Sequence, residues 1–316
     1  MSSGYSPYMK DLQTCLMDSR KVSEITAKQY IRMLYNLNDK ERFNNLNWLK
    51  NKDELQTKID KYSFNSQYAI YAIITSALST CKTKSVYKAI HQYWADKLKN
   101  ARIQRDQQRQ EREKTEVQKD NWLTWDEVTK KYNELKEQYM SINKLKTLTA
   151  SQYDTLLSYL VLALYVLIPP RRNEYMSVTV VPKIKFDEYD ATKNYYDIER
   201  KRFVFNKYKT AKKYGQQVIT VPDELHELLM TYLKHNPLQN KNGFPLLVRP
   251  DGTPLTAMNS ITRILNRIFG RNIGSSMLRH FYVSSKYANV TKEMEKDAKD
   301  MGHSVAVQRT DYIKKE

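Results

Sequence analysis

The chain has 316 residues, and 41% of them are hydrophobic, which is enough apolar content for one large domain or two ordinary ones. Lys and Arg number 53 against 35 Asp and Glu, so the formal net charge is +18, an excess that favours a polyanionic partner such as nucleic acid. The cysteines are Cys15 and Cys81, too few for a disulfide framework, and no Cys/His cluster has metal-ligand spacing.

The same properties bear on location and cofactors. The longest apolar run, Tyr159 to Ile168, is too short to span a bilayer, so we expect no membrane partner. With two cysteines and no ligand cluster, we expect an intracellular protein, associated with its polyanion, that needs no metal and no cofactor.

The first part of the chain has helical patterns. Ser23 and Thr26 offer caps for a helix whose apolar residues recur at helical spacing: Tyr30, Met33, Leu34 and Leu37. A later helix, beginning near Ser63 or Asn65, has an apolar face made of Ala69, Ile70, Ile73, Ile74, Ala77 and Leu78. We therefore expect an all-α domain over residues 1–100.

A charged segment follows. From Lys97 to Asp120 the sequence is a dense mixture of Arg, Gln, Glu and Lys, which is typical of an exposed helix or of an interdomain linker. We place the linker at residues 101–121 and a second domain at 122–316, where Thr124 and Glu127 have the spacing of a capping box.

The second domain opens with an apolar helix and a cationic cluster. Ser151 to Ile168 is typical of a buried helix that stops at Pro169-Pro170. A new helix beginning with Pro170 would place Arg171 near its N-terminus, where backbone amides favour a phosphate. The alternative is that Arg171 and Arg172 are simply solvated.

Strand patterns follow and predict a small antiparallel sheet. They are Val178 to Val181, Tyr195 to Ile198, Arg202 to Phe205 and Gln217 to Val221. The turn from Lys209 to Gly215 projects several cations, a shape that fits a groove of duplex DNA, although lysine-rich turns are often only solvated. Helices resume at Asp223, over Ser260 to Phe269 and from Ser275 onward, so the expected fold is mainly α with one small sheet.

The last forty residues carry two short motifs. Leu278-Arg279-His280 is followed by Gly302-His303, and Tyr312 lies nine positions after that histidine. Taken singly, Arg279 fits a salt bridge, His303 fits a helix end, and Tyr312 is one of 24 tyrosines. Together, an arginine, a histidine and a tyrosine are what an enzyme needs to hold a phosphodiester and attack it.

In order and spacing, these residues resemble the catalytic domain of the tyrosine recombinases, the phage integrase family, from about Trp122 to the C-terminus. Arg171 and Glu174 match the family's Arg-x-x-Glu, and Lys209-Thr210 ahead of Val221-Pro222 matches its hairpin lysine. The Leu-Arg-His and Gly-His to Tyr spacings match as well. The N-terminal helices resemble the family's core-binding domain.

The resemblance implies a role for each residue. Arg171 and Arg279 would hold the phosphate with His303, and Tyr312 would attack it to form a 3′-phosphotyrosyl link. Lys209 would protonate the leaving 5′ oxygen, with three competitors for that role: Lys207, Lys212 and Lys213. Glu174 would orient Arg171, and these three lysines with Arg172 would contact DNA.

The sequence departs from the family at one position that matters for proton transfer. Ser276 stands where the family has a histidine three residues before the second arginine. Water, a hydrogen bond donated by Ser276, or the nearby His280 would have to fill that role.

Three functions follow from these patterns. The first is a site-specific recombinase or integrase that acts on double-stranded DNA as a homo-oligomer, expected to be a tetramer, without metal or ATP. The second is a monomeric nicking and resealing enzyme that resembles type IB topoisomerases. The third is a DNA-binding protein that keeps the fold but not the chemistry, for which Ser276 is the only sign. A bias towards Lys, Asn, Ile and Tyr fits a mobile element or a virus.

Overall fold

The computed structural model describes residues 4–80, 86–111, 113–184, 190–239, 243–257 and 259–314. Contacts divide the chain into two compact units, Met1–Glu113 and Lys114–Glu316, which are described separately below as unit 1 and unit 2. Cys81 lies outside the described residues, and Cys15 is buried in unit 1. In the described ranges, no helix is both long and apolar enough to cross a membrane.

Unit 1 is helical. Its helices are α1 (Pro7–Arg20), α2 (Glu24–Leu37), α3 (Lys52–Ile59), α4 (Phe64–Leu78) and α5 (Lys88–Glu111). The predicted cap of α2 is confirmed, because the Ser23 side chain accepts a hydrogen bond from the Thr26 amide. The apolar face of α4 is buried except at Ala69, whose inclusion in that face was wrong. Trp94 on α5 is fully buried, and its indole N–H donates to the carbonyl of Leu49.

The charged segment is helical over most of its length. Helix α5 extends through the predicted linker as far as Glu111, with most of its last turns exposed. A short helix, α6 (Glu116–Asn121), follows in unit 2 and is capped by Thr115. The segment was expected to be an exposed helix or an interdomain linker. From Lys97 to Glu111 it is a mostly exposed helix.

Unit 2 is built around one buried helix. Helix α7 (Trp125–Met140) begins at the predicted capping box of Thr124 and Glu127, and α8 (Ala150–Val166) packs against it. Every residue of α8 from Leu156 to Tyr165 is buried, which confirms the predicted core helix. Four further helices complete the unit: α10 (Asp223–His235), α11 (Ser260–Phe269), α12 (Ser275–Asp300) and the three-residue α13 (Val305–Val307), while a short α9 (Ala211–Tyr214) lies in the sheet hairpin.

A five-stranded sheet covers part of the same core in the order β4-β3-β2-β1-β5. The strands are β1 (Val178–Val181), β2 (Asn194–Asp197), β3 (Arg202–Phe205), β4 (Gln217–Thr220) and β5 (Phe244–Pro245). The prediction of a wholly antiparallel sheet is wrong, because β1 and β2 pair in parallel. Residues 182–193 separate these strands, and a connection of about a dozen residues is long enough to return the chain to the same end of the sheet.

Strands β3 and β4 form the predicted hairpin, and one buried side chain anchors its base. The side-chain amide of Asn194, which is fully buried, donates to the Ser177 hydroxyl and to the Lys207 carbonyl. Its oxygen accepts from the backbone amides of Asn206 and Lys207 at 2.9 and 2.8 Å. Asn194 therefore fixes the backbone two residues before Lys209.

Replacing Asn194 tests this anchor. We expect Asn194→Leu to lower the free energy of unfolding of unit 2 by about 2 to 4 kcal/mol, because four hydrogen bonds of a fully buried side chain are lost and partly buried backbone groups lose their partners. Urea titration measures the change, and Asn272→Leu is the control because Asn272 is exposed. Equal effects of the two substitutions would contradict the anchoring role.

Candidate active site

Arg171 lies in a non-helical segment that follows α8. Residues 169–173 are not helical, and the next element is a single 3₁₀ turn over Glu174–Ser177. The predicted helix beginning at Pro170 is therefore wrong, and with it the expectation that helix amides add to the charge of Arg171. Consecutive prolines contribute to this result, because the residue before a proline is disfavoured in the helical region.

The sheet hairpin holds the side chain of Arg171. Its Nη1 donates to Oε1 of Gln217 at 2.7 Å. Its guanidinium lies over the ring of Phe205, 4.0 Å from the centroid, and 5.3 Å from that of Tyr208. Ring faces attract a cation, so β3 and β4 hold this arginine without neutralising it. Its Nε is buried without a hydrogen-bond partner among the described residues.

A second arginine meets Arg171 in a cleft of about 220 Å³, which we call the Arg171 cleft. Its charged and aromatic lining consists of Arg171, Arg172, Glu174, Tyr208, Tyr214 and Arg279. Arg279 is positioned by the first turns of α12, where the neighbouring Leu278 is fully buried and Phe281 packs edge-on against Trp122. Three cations and one carboxylate line the cleft, so its charge favours an anion.

Glu174 is close to Arg171 in sequence but does not neutralise it through an ion pair in the described structure. Its Oε2 is buried and has no hydrogen-bond partner among the described residues. The positive charge of Arg171 also acts on the neighbouring Tyr175. Burial raises the pKa of the Tyr175 hydroxyl, and the charge of Arg171 opposes part of that rise. Buried polar atoms without partners are uncommon in folded proteins, so the cleft is equipped for a polar ligand.

The candidate lysines lie along the same hairpin. Lys207, Lys209, Lys212 and Lys213 are all exposed, and Lys212 and Lys213 belong to α9, which replaces the simple turn expected from sequence. Lys209 itself does not line the Arg171 cleft, although Tyr208 and Thr210 on either side of it do.

His303 and Tyr312 form a separate pair, which we call the tail pair. Their rings stack with centroids 4.9 Å apart and an interplanar angle of 22°. The turn that creates the pair depends on Gly302, which has φ of 76° and ends α12; the amides of Gly302 and His303 donate to the carbonyls of Lys299 and Ala298. Nε2 of His303 is buried without a partner in the described structure, whereas Tyr312 is 65% exposed.

The structure does not bring the tail pair into the Arg171 cleft. Helix α12 is continuous from Ser275 to Asp300, and its side chains between Val283 and Asp297 are exposed or half-buried. The tail folds back only as far as Met294, which Arg309 contacts. The His303 amide donates to the carbonyl of Ala298, so at 1.5 Å per residue the tail pair lies roughly 30 Å along α12 from Arg279.

The two residues proposed to replace the missing histidine are also outside the cleft. Ser276 and His280 are exposed on the first turns of α12, one on each side of Arg279 in sequence, and neither lines the Arg171 cleft.

Sequence reasoning missed the residues that hold Arg171. Phe205, Tyr208 and Gln217 come from the hairpin, more than thirty residues later in the chain. The sequence signal for these contacts was the alternating pattern of β3 and β4. In the structure the two strands pair with Phe205 opposite Gln217.

A charge placed at Gln217 tests whether the cleft binds an anion. We expect Gln217→Glu to weaken binding of duplex DNA by about five- to thirty-fold, because a carboxylate beside Arg171 would neutralise it at an effective dielectric near 20. Gln216→Glu, which adds the same charge one residue away, is the control. Fluorescence anisotropy at fixed salt measures both, and equal losses would contradict a specific role for the cleft.

The chain therefore presents two groups of candidate residues: two arginines that share a cleft beside the lysine hairpin, and a stacked histidine and tyrosine carried by the distal half of α12. Comparisons of the chain with models of known protein families, with curated proteins and with solved structures find no match.

Proposed function

We propose that the protein is a site-specific DNA recombinase or integrase that cleaves and rejoins strands through a covalent 3′-phosphotyrosyl intermediate. The observation that carries this proposal is the meeting of Arg171 and Arg279, more than one hundred residues apart in sequence, in one cleft. Guanidinium groups match the geometry of phosphate oxygens and stay charged at all physiological pH values. The unpartnered Nε of Arg171 leaves a donor for such a ligand.

In the proposed reaction, the two arginines hold the non-bridging oxygens of a phosphodiester and stabilise the charge of the five-coordinate phosphorus. The Tyr312 oxygen forms a bond to phosphorus as the bond from phosphorus to the 5′ oxygen breaks. Lys209 gives a proton to that 5′ oxygen, and the phenol proton passes to water or to His280, with Ser276 as a hydrogen-bond donor only. Attack by a 5′ hydroxyl then reverses the step on a new strand, so no external energy source is needed.

Proposed roles for the remaining residues follow from their positions. His303, whose Nδ1 donates to the Ser304 carbonyl at 3.3 Å, would donate from its unpartnered Nε2 to the phosphate as an imidazolium once Tyr312 reaches it. Glu174 lines the Arg171 cleft without pairing with Arg171 in the described structure, and Arg172 with the exposed lysines Lys207, Lys212 and Lys213 contacts backbone phosphates. Unit 1 would bind DNA as a core-binding domain.

The separation of the tail pair from the cleft favours attack on a phosphate held by a neighbouring copy. Distal α12 carries three exposed apolar side chains, Val283, Tyr287 and Val290, spaced so that they share one face of the helix. Such a face is stabilised by burial against another surface, which supports a homo-oligomer, with a tetramer on DNA as the proposed assembly.

The same separation counts against one of the two alternative functions. A topoisomerase-like monomer needs the nucleophile and both arginines at one site of one chain, which this arrangement does not provide. A DNA-binding protein without catalysis does not need the stacked His303 and Tyr312. The only residue that specifically supports this function is Ser276, which stands where the family has a histidine.

Covalent capture tests the proposed chemistry. With a nicked, labelled duplex library in EDTA, we expect the wild type to form a protein-linked 3′ strand on a denaturing gel, and Tyr312→Phe to form none, because only the phenol oxygen can make the bond. Tyr287→Phe is the matched control, since Tyr287 is also an exposed tyrosine of the C-terminal segment. DNA binding by the wild type without any adduct, over a range of salt, would contradict catalysis.

A further inference from the structure

Unit 2 contains a second arginine-lined cleft, of about 250 Å³, between the start of α8 and α11. We call it the Arg263 cleft. Its three cations come from two elements: Arg249 from the loop after β5, and Arg263 and Arg267 from positions one turn apart on α11. None of these three arginines is among the candidate site residues identified from sequence.

Among the described residues, one of the three cations forms an ion pair with an acidic group. Arg267 pairs with Asp154 of α8 at 3.4 Å and donates to the Ser158 hydroxyl. The Asp251 carboxylate accepts from the Thr253 amide; that bond lowers the pKa of Asp251, and the charge of Arg249 lowers it further. Arg263 is exposed, and its side chain makes no hydrogen bond or ion pair in the described part of the chain. The cleft therefore keeps an uncompensated positive charge.

The position of the Arg263 cleft relative to the Arg171 cleft indicates which kind of ligand neutralises its positive charge. Asp154 lies near the first turn of α8, whereas Arg171 follows its last turn, so the two clefts lie at opposite ends of one buried helix. From Asp154 to Val166 the helix rises about 18 Å, at 1.5 Å per residue. In duplex DNA, with about 3.4 Å per base pair, that length corresponds to roughly five steps along a strand.

We propose that the Arg263 cleft binds a backbone phosphate of the DNA, several steps from the phosphate in the Arg171 cleft. This inference rests on the proposed function, because it takes the same DNA as the ligand of both clefts. Arg249 and Arg263 supply the contact, while Arg267 stays paired with Asp154. Such a contact fixes the register of the duplex on unit 2 and carries no base specificity.

The test is the salt dependence of DNA binding by the full-length chain. Each phosphate neutralised by a cation changes the slope of log K against log salt by about 0.9. We expect Arg249→Gln with Arg263→Gln to make the slope less steep by about 1, because the cleft binds one phosphate. The control, Lys130→Gln with Lys131→Gln, removes two charges from α7 near Asp126, Glu134 and Glu137, where a phosphate is repelled, and should leave the slope unchanged.

Slopes that agree between the two double variants would overturn the inference, as would a wild type whose DNA binding does not depend on salt. Covalent adduct formation, assayed on the same preparations, separates the two proposals. A wild type that forms no adduct but shows the arginine-dependent slope would overturn the recombinase proposal and leave the phosphate site standing. A wild type that forms an adduct, with a salt slope that the two arginine substitutions leave unchanged, would support the recombinase proposal and overturn the phosphate site.

Discussion

Burial of α8 on all its faces is the constraint on which unit 2 depends. Ten consecutive residues, Leu156 to Tyr165, are buried between the neighbouring helices and the sheet. Burying a large apolar side chain contributes about 1.5 to 3 kcal/mol, so displacing this helix would expose much of the core. Because Arg171 follows its end and Asp154 lies near its start, the rigid helix also fixes how far apart the two arginine clefts lie.

The Arg171 cleft combines positive charge with little internal neutralisation. The rings of Phe205 and Tyr208 face the Arg171 guanidinium, and Gln217 accepts one of its hydrogen bonds, yet none of the three carries a negative charge. A carboxylate in the place of Gln217 would hold the arginine equally well but would compete with a phosphate. Preorganised cations of this kind stabilise the charge that develops during phosphoryl transfer.

Local patterns predicted most of the elements. The capping box of Thr124 and Glu127, the buried helix that ends before Pro169 and the bounds of α11 all depend on residues a few positions apart, and the structure confirms them. The parallel pairing of β1 and β2 was not predicted, because the alternation within each strand does not determine the relative direction of two strands separated by about a dozen residues. The surroundings of Arg171 were missed for the same reason, since the hairpin that holds it comes later in the chain.

The placement of Tyr312 shows the limit of a motif. Its spacing from His303 predicts that the two act together, and their rings do stack. Whether they reach Arg279 depends on α12, which contains neither proline nor glycine from Ser275 to Asp300 and continues without a break. The sequence pattern thus identified the pair. The unbroken course of α12 determines how far that pair lies from Arg279.

The most direct test of this account is to divide the proposed site between two chains. Arg279→Ala and Tyr312→Phe would be mixed, with the nicked duplex in EDTA, as chains of different mass that each form no adduct alone. If Tyr312 serves the cleft of a neighbouring copy, the mixture forms an adduct, and the labelled strand is attached to the Arg279→Ala chain. A mixture that stays inactive beside an active wild type would place the tyrosine and the arginines of one chain at the same phosphate, and would contradict the account.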